Sequence, residues 1–96
     1  MKTLKDIIST LDVQQVQGDQ NVSIQDITAD SRAVKPNSLF IALGGATVDG
    51  HNYIDKAVAA GAVAVIVSKP VTVPDDVCVI TVSDTRQAMM RSEERR

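Results

Sequence analysis

Leu4, Ile7, Ile8 and Leu11 fall at i, i+3, i+4 and i+7, the spacing of one face of an amphipathic helix. Thr3 stands where a side-chain oxygen caps a first turn, and Asp6 suits the positive end of the helix dipole. Between residues 13 and 29 the rhythm is mixed. Gly18-Asp19 marks a turn, and Val22, Ile24 and Ile27 predict one or two short strands. Pro36-Asn37 predicts a further turn, which feeds residues 38–43, a nearly continuous apolar run of the kind a strand covered on both faces requires.

The pattern then returns to a helical stripe at Tyr53, Ile54, Ala57, Val58 and Ala60, with Asn52 as candidate N-cap. Gly61 suits the left-handed position that ends a helix. Residues 62–67 follow at once as a second buried strand, so 38–67 reads as a strand-helix-strand unit, expected to be parallel and right-handed. Pro70, Pro74, Asp75 and Asp76 predict a surface loop, residues 77–82 a third strand, and Ser83 or Asp84 the start of a last helix. The fold class expected is α/β, a small mixed, mainly parallel sheet flanked by helices, in a single domain over residues 1–96 with no internal repeat or linker.

Composition narrows this picture. Ninety-six residues suffice for one small core, and 44% hydrophobic with 23% charged residues is a globular rather than a disordered balance. Phe40 and Tyr53 are the only aromatics, which leaves the core to Val, Ile, Leu and Ala. The longest apolar run, 57–67, is interrupted by Gly61 and too short to span a bilayer, and Lys2, Lys5 and Asp6 break the apolar block a signal peptide would need. The single cysteine, Cys78, allows no internal disulfide and fits a reducing cytoplasm. A formal charge of -2 offers no general attraction to nucleic acid or to an anionic membrane.

Candidate chemistry gathers where loops leave the strands. In open α/β sheets, ligands collect outside the carboxyl ends of parallel strands. The loop Gly44-Gly45-Ala46-Thr47-Val48-Asp49-Gly50 leaves one such end and enters a helix, and its glycines permit close backbone approach, so that free N–H groups can meet a ligand's oxygens. No Gly-Lys-Ser/Thr follows, so it is not a triphosphate-binding P-loop. The other reading is a tight connection without a ligand. Asp30-Ser31-Arg32 divides in the same way: Ser31 offers a hydroxyl and an amide to a ligand while Arg32 supplies charge, or Asp30 and Ser31 satisfy turn donors while Arg32 pairs with Asp30 or Asp49.

The order of the Asp30-Ser31-Arg32 triplet, Leu39-Phe40-Ile41-Ala42-Leu43, Asp49-Gly50-His51, Ala57 and Gly61-Ala62 resembles the N-terminal domain of the muramyl ligases, ATP-dependent enzymes that extend the peptide of UDP-linked peptidoglycan precursors. The resemblance spans roughly residues 20–90 and is strongest to the branch that adds a diamino acid, diaminopimelate or lysine. It implies a cytoplasmic enzyme for which UDP-N-acetylmuramoyl-dipeptide is the partner, and in which Ala29, Ser31, Ala46, Thr47 and Val48 hold the UDP part. ATP and Mg²⁺ are implied for the longer enzyme, where ATP activates a carboxylate as an acyl phosphate; no catalytic residue of that reaction is expected here. The ATP-binding central and C-terminal domains are expected to be absent from these 96 residues. Two alternatives stay open: the branch that adds D-alanyl-D-alanine, and a free-standing interaction domain that has lost the nucleotide.

Other reactive side chains point to little. His51 has no second His or Cys at ligand spacing, so no metal site is expected. Cys78 between Val77 and Val79 reads as a small buried hydrophobe. Met89 and Met90 read as core filling at the base of the last helix, with a partner-binding patch as the other use. Arg91, Arg95 and Arg96, beside Glu93 and Glu94, read as a solvated face.

Overall fold

The computed structural model describes residues 2–9, 11, 13–43, 53–69 and 71–94, and only the backbone path at residues 2, 89 and 91–94. In chain order the elements are β1 (Lys2–Thr3), α1 (Leu4–Ile8), β2 (Val13–Gln17), β3 (Ser23–Ile24), β4 (Asp26–Thr28), a 3₁₀ turn (Ser31–Ala33), β5 (Ser38–Ile41), α2 (Ile54–Ala59), β6 (Ala62–Val67), β7 (Cys78–Val82) and α3 (Thr85–Glu94).

Five strands form one sheet in the order β2-β7-β6-β5-β4. β4, β5, β6 and β7 run parallel, and β2 closes the sheet antiparallel to β7. The expected parallel partnership of 38–43 with 62–67 is present, with Phe40 opposite Val65 and Ile41 opposite Ile66. β1 and β3 make a separate two-stranded antiparallel ribbon; β3 holds Ile24, one of the residues that predicted a short strand, whereas β1 and the pairing were not expected.

Alternation along the strands divides the core into two layers. Leu39, Ile41, Ala64, Ile66, Ile80 and Val82 face Leu4, Ile7 and Ile8 of α1 and Ala88 of α3. Phe40, Ala42, Val65, Val67 and Val79 face Ile54 and Ala57 of α2. Helices therefore cover both faces, which is why β5 is buried at all four positions and β6 at all but Val63. Each fully buried Leu, Ile or Phe contributes about 1.5–3 kcal/mol relative to exposure.

Local signals explain the helix ends. The Thr3 hydroxyl accepts from the Asp6 N–H at 3.3 Å, and the Asp84 carboxylate accepts from the N–H groups of Arg86 at 3.0 Å and Gln87 at 3.4 Å. Tyr53 occupies the cap position of α2 without a side-chain cap bond, and Asn52 lies outside the described residues. Gly61 follows α2 with φ 115°, as a left-handed helix end requires. Cys78 is buried, as its apolar neighbours indicated. Met90 departs from expectation. Its side chain is 66% exposed, because the core-facing positions of α3 are taken by Thr85 and Ala88.

At the N-terminal ends of the strands the backbone is tied into a seam. Asn37, at φ 65°, donates its N–H to the Gly61 carbonyl at 3.0 Å and accepts from the Gln25 N–H at 2.9 Å. One turn residue thereby joins the entrances of β4, β5 and β6. Ser38 is fully buried, and its hydroxyl accepts from the Lys35 N–H at 3.0 Å.

Candidate functional site

The opposite ends of the same strands are built differently. After β4 the chain bends through a run of short-range hydrogen bonds in which the Thr28 hydroxyl accepts from the Asp30 N–H at 3.0 Å, and the Asp30 carboxylate accepts from the Arg32 N–H at 2.9 Å. The Ala33 N–H then reaches the Asp30 carbonyl at 3.0 Å and closes the 3₁₀ turn. Short polar side chains two residues before the donor commonly stabilise such bends.

Arg32 adds a side-on pair, Nε to Asp30 Oδ1 and Nη2 to Oδ2, each at 3.1 Å. The guanidinium and the Arg32 N–H hold the Asp30 carboxyl below its usual range, and the Asp30 carboxylate raises Arg32 in turn. The two side chains are 48% and 89% exposed, so the pair shapes the turn and adds little to global stability. The pair is the one that the structural reading of the triplet offered between Arg32 and Asp30, and Asp49 lies outside the described residues. Ser31 sits between them, half-buried, and its hydroxyl makes no hydrogen bond among the described residues.

The turn forms one wall of a cleft of about 500 Å³, lined by Ala29, Asp30, Ser31, Arg32, Phe40, Leu43, Tyr53 and Lys56. Phe40, buried on β5, backs the cleft from beneath, and Leu43 just beyond it supplies partly exposed apolar surface from the strand end. Tyr53 and Lys56 come from the start of α2, and the Lys56 Nζ lies 5.6 Å from the centre of the Tyr53 ring, a cation-π distance. An apolar floor with a few convergent polar groups is the usual make-up of a small-molecule site. A second hollow of about 280 Å³ beside Gln17 and Gly18 has Asp75 as its one ionisable side chain among the described residues.

Of the site residues named from the sequence, Ala29 and Ser31 line the cleft together, whereas Ala46, Thr47 and Val48 lie outside the described residues. Leu43 and Tyr53, the described residues on either side of that segment, both line the cleft. Phe40, Leu43, Tyr53 and Lys56 were not anticipated as lining. The one signal for the helical pair was the i, i+3 spacing of Tyr53 and Lys56, which places them on the same helix face. Among the described residues no group of three His, Cys, Asp or Glu is arranged to hold a metal ion, and no helix is long and apolar enough to cross a membrane.

Comparison with known proteins gives a consistent result. The family described as "Mur ligase family, catalytic domain" matches residues 23–96. The UDP-N-acetylmuramoyl-L-alanyl-D-glutamate--2,6-diaminopimelate ligase of Alkaliphilus metalliredigens is 42% identical over 90% of this chain, and the Clostridioides difficile ligase of the same name is 42% identical over 92%. The chain spans 17% and 18% of the lengths of those two relatives. Among solved structures, MurF from Acinetobacter baumannii superposes with a TM-score of 0.64 at 34% identity, covering 71% of this chain and 15% of that one.

Proposed function

The chain belongs to the Mur ligase family, and from that membership we propose that it is the UDP-anchoring N-terminal domain of a cytoplasmic UDP-N-acetylmuramoyl-L-alanyl-D-glutamate ligase that adds 2,6-diaminopimelate during peptidoglycan precursor synthesis. The observation that carries the reading is the cleft in which Ala29 and Ser31 meet, at the carboxyl ends of β4 and β5 where parallel α/β sheets take their ligands. Ser31 offers a hydroxyl with no hydrogen-bond partner among the described residues, Leu43 and Tyr53 offer partly exposed apolar surface to a flat base, and Ala46, Thr47 and Val48 are the further contacts we assign to the UDP part. The amino acid named in the relatives supports diaminopimelate over lysine. The solved-structure similarity includes a ligase for D-alanyl-D-alanine, at 26% identity. The 42% identity over nearly the whole chain favours the diaminopimelate branch.

We assign ATP and Mg²⁺ to the longer enzyme and not to this cleft. The sequence has no Gly-Lys-Ser/Thr, and the described residues show no metal-holding cluster. This chain's own contribution is positioning: binding energy gained at the nucleotide, far from the reacting carboxylate, holds the substrate in place. The test is a titration of the isotope-labelled chain with UDP, followed by amide chemical shifts. Signals from residues 29–32 and 53–56 should move, while those around the Asp75 hollow stay in place. If saturating UDP moves none of the first group in a folded sample, the anchoring role is lost and the interaction-domain reading takes its place.

A further inference from the structure

Charge around the cleft is unevenly neutralised. Of the ionisable groups in its lining, Asp30 and Arg32 neutralise one another through two 3.1 Å contacts. Lys56 forms no ion pair among the described residues, and its ammonium is held over the Tyr53 ring. The described lining thus carries one uncompensated positive charge on a chain whose formal charge is -2. Tyr53 and Lys56 lie one helical turn apart, and the ring face favours positions of the exposed ammonium beside it.

We propose that Lys56 is the specificity-determining cation of the cleft, meeting the phosphate groups of a nucleoside diphosphate while the apolar wall takes the base, so that the site prefers the diphosphate over the neutral nucleoside. The inference rests on the anchoring role proposed above and adds to it the residue that reads ligand charge. Asp30 already balances the charge of Arg32, which leaves the uncompensated charge of the described lining to Lys56. The same ammonium lies over the Tyr53 ring, which puts the charge next to the apolar wall.

The experiment measures the affinity of the chain for UDP and for uridine, at two salt concentrations, in the unsubstituted protein, Lys56→Gln and Lys56→Arg. Lys56 is exposed, so both variants should keep the fold, checked by circular dichroism. Lys56→Gln should weaken UDP by about 3- to 10-fold, the scale of one solvent-accessible charge-assisted contact. Uridine should change by less than about 2-fold, and Lys56→Arg should retain UDP. The fall in UDP affinity with added salt should be shallower in Lys56→Gln. UDP binding that Lys56→Gln leaves unchanged overturns this proposal and spares the anchoring role. Equal weakening of UDP and uridine also overturns it, since Lys56 would then act only by supporting Tyr53. If the unsubstituted chain binds no UDP, both proposals fall together.

Discussion

The two ends of the parallel strands solve opposite problems. At the N-terminal ends, Asn37 bridges Gln25 and Gly61, the buried Ser38 hydroxyl is paired, and Gly61 packs directly against the backbone of Pro36. At the carboxyl ends, the Ser31 hydroxyl and the Lys56 ammonium have no hydrogen-bonded or ionic partner among the described residues, and the bonds of the 30–33 turn are local. Polar groups that are fully paired stabilise a fold, and polar groups left available recognise ligands. Substitutions at the seam should therefore cost stability and spare binding, and substitutions in the cleft the reverse.

The sharpest way to break that contrast is Gly61→Ala. A side chain at φ 115° is strained, and its Cβ would stand 2.7 Å from Pro36 Cα and 3.0 Å from Pro36 N, contacts with backbone that cannot swing aside. Displacing the Lys35-Pro36 turn would also disturb the Asn37 to Gly61 hydrogen bond. We expect a loss of about 2–4 kcal/mol, or a fall in Tm of roughly 10–25 °C in thermal unfolding by circular dichroism. A change of less than about 0.5 kcal/mol would mean that the seam is not where the fold is held.

Two serines sharpen the comparison next. Ser31→Ala should leave Tm nearly unchanged while weakening UDP by about 5- to 100-fold, the effect of losing a hydrogen bond of about 1–3 kcal/mol to an acceptor on the ligand. Ser38→Ala should show the opposite profile. It strips the Lys35 N–H of its partner inside the fold and should cost about 1–2 kcal/mol of stability, with UDP affinity per folded molecule unaltered. If both variants lose binding and stability in parallel, the two ends are coupled and the proposed division of labour is wrong.

The sequence made one end of the molecule far more legible than the other. Apolar runs announced β5, β6 and β7 because a strand covered on both faces needs side chains of one kind at every position, and Gly61 announced its own left-handed turn. β1 stayed hidden and β3 showed only as part of the one or two short strands expected around Val22, Ile24 and Ile27, since two-residue strands carry no period. β2 was indistinct because Gln14, Gln15 and Gln17 are exposed on an edge strand, and nothing in their spacing reveals the antiparallel partner β7. In the cleft, Ala29 could be named only through the family resemblance, and Ser31, left between two readings by its own chemistry, was assigned to the ligand through it. Tyr53 and Lys56 could not be named at all. They reach the end of β4 through the packing of α2 against the 3₁₀ turn, a neighbourhood created by topology across more than twenty residues of chain.

The smallest expected effect concerns the Asp30-Arg32 pair, which tests whether the cleft wall is organised locally. Hydrogen bonds from the Arg32 side chain and N–H lower the Asp30 pKa from 3.8. A carboxylate whose folded pKa is depressed contributes stability that is present above its unfolded pKa and lost as pH falls through the folded value. Any contribution from Asp30 is therefore complete at neutral pH and disappears only below about 3.8. Because both side chains are exposed, Arg32→Gln should barely move Tm at pH 7. The readout is instead the Asp30 carboxyl carbon in an NMR pH titration: its midpoint should lie below 3.8 in the unsubstituted chain and rise in Arg32→Gln. The rise should be incomplete, because the backbone N–H of residue 32 remains in place to favour the ionised form. A midpoint at or above 3.8 before substitution would show that Arg32 is not held by Asp30 in solution. Arg32 would then be a second free cation beside Lys56, and the selection of ligand charge would be shared between them.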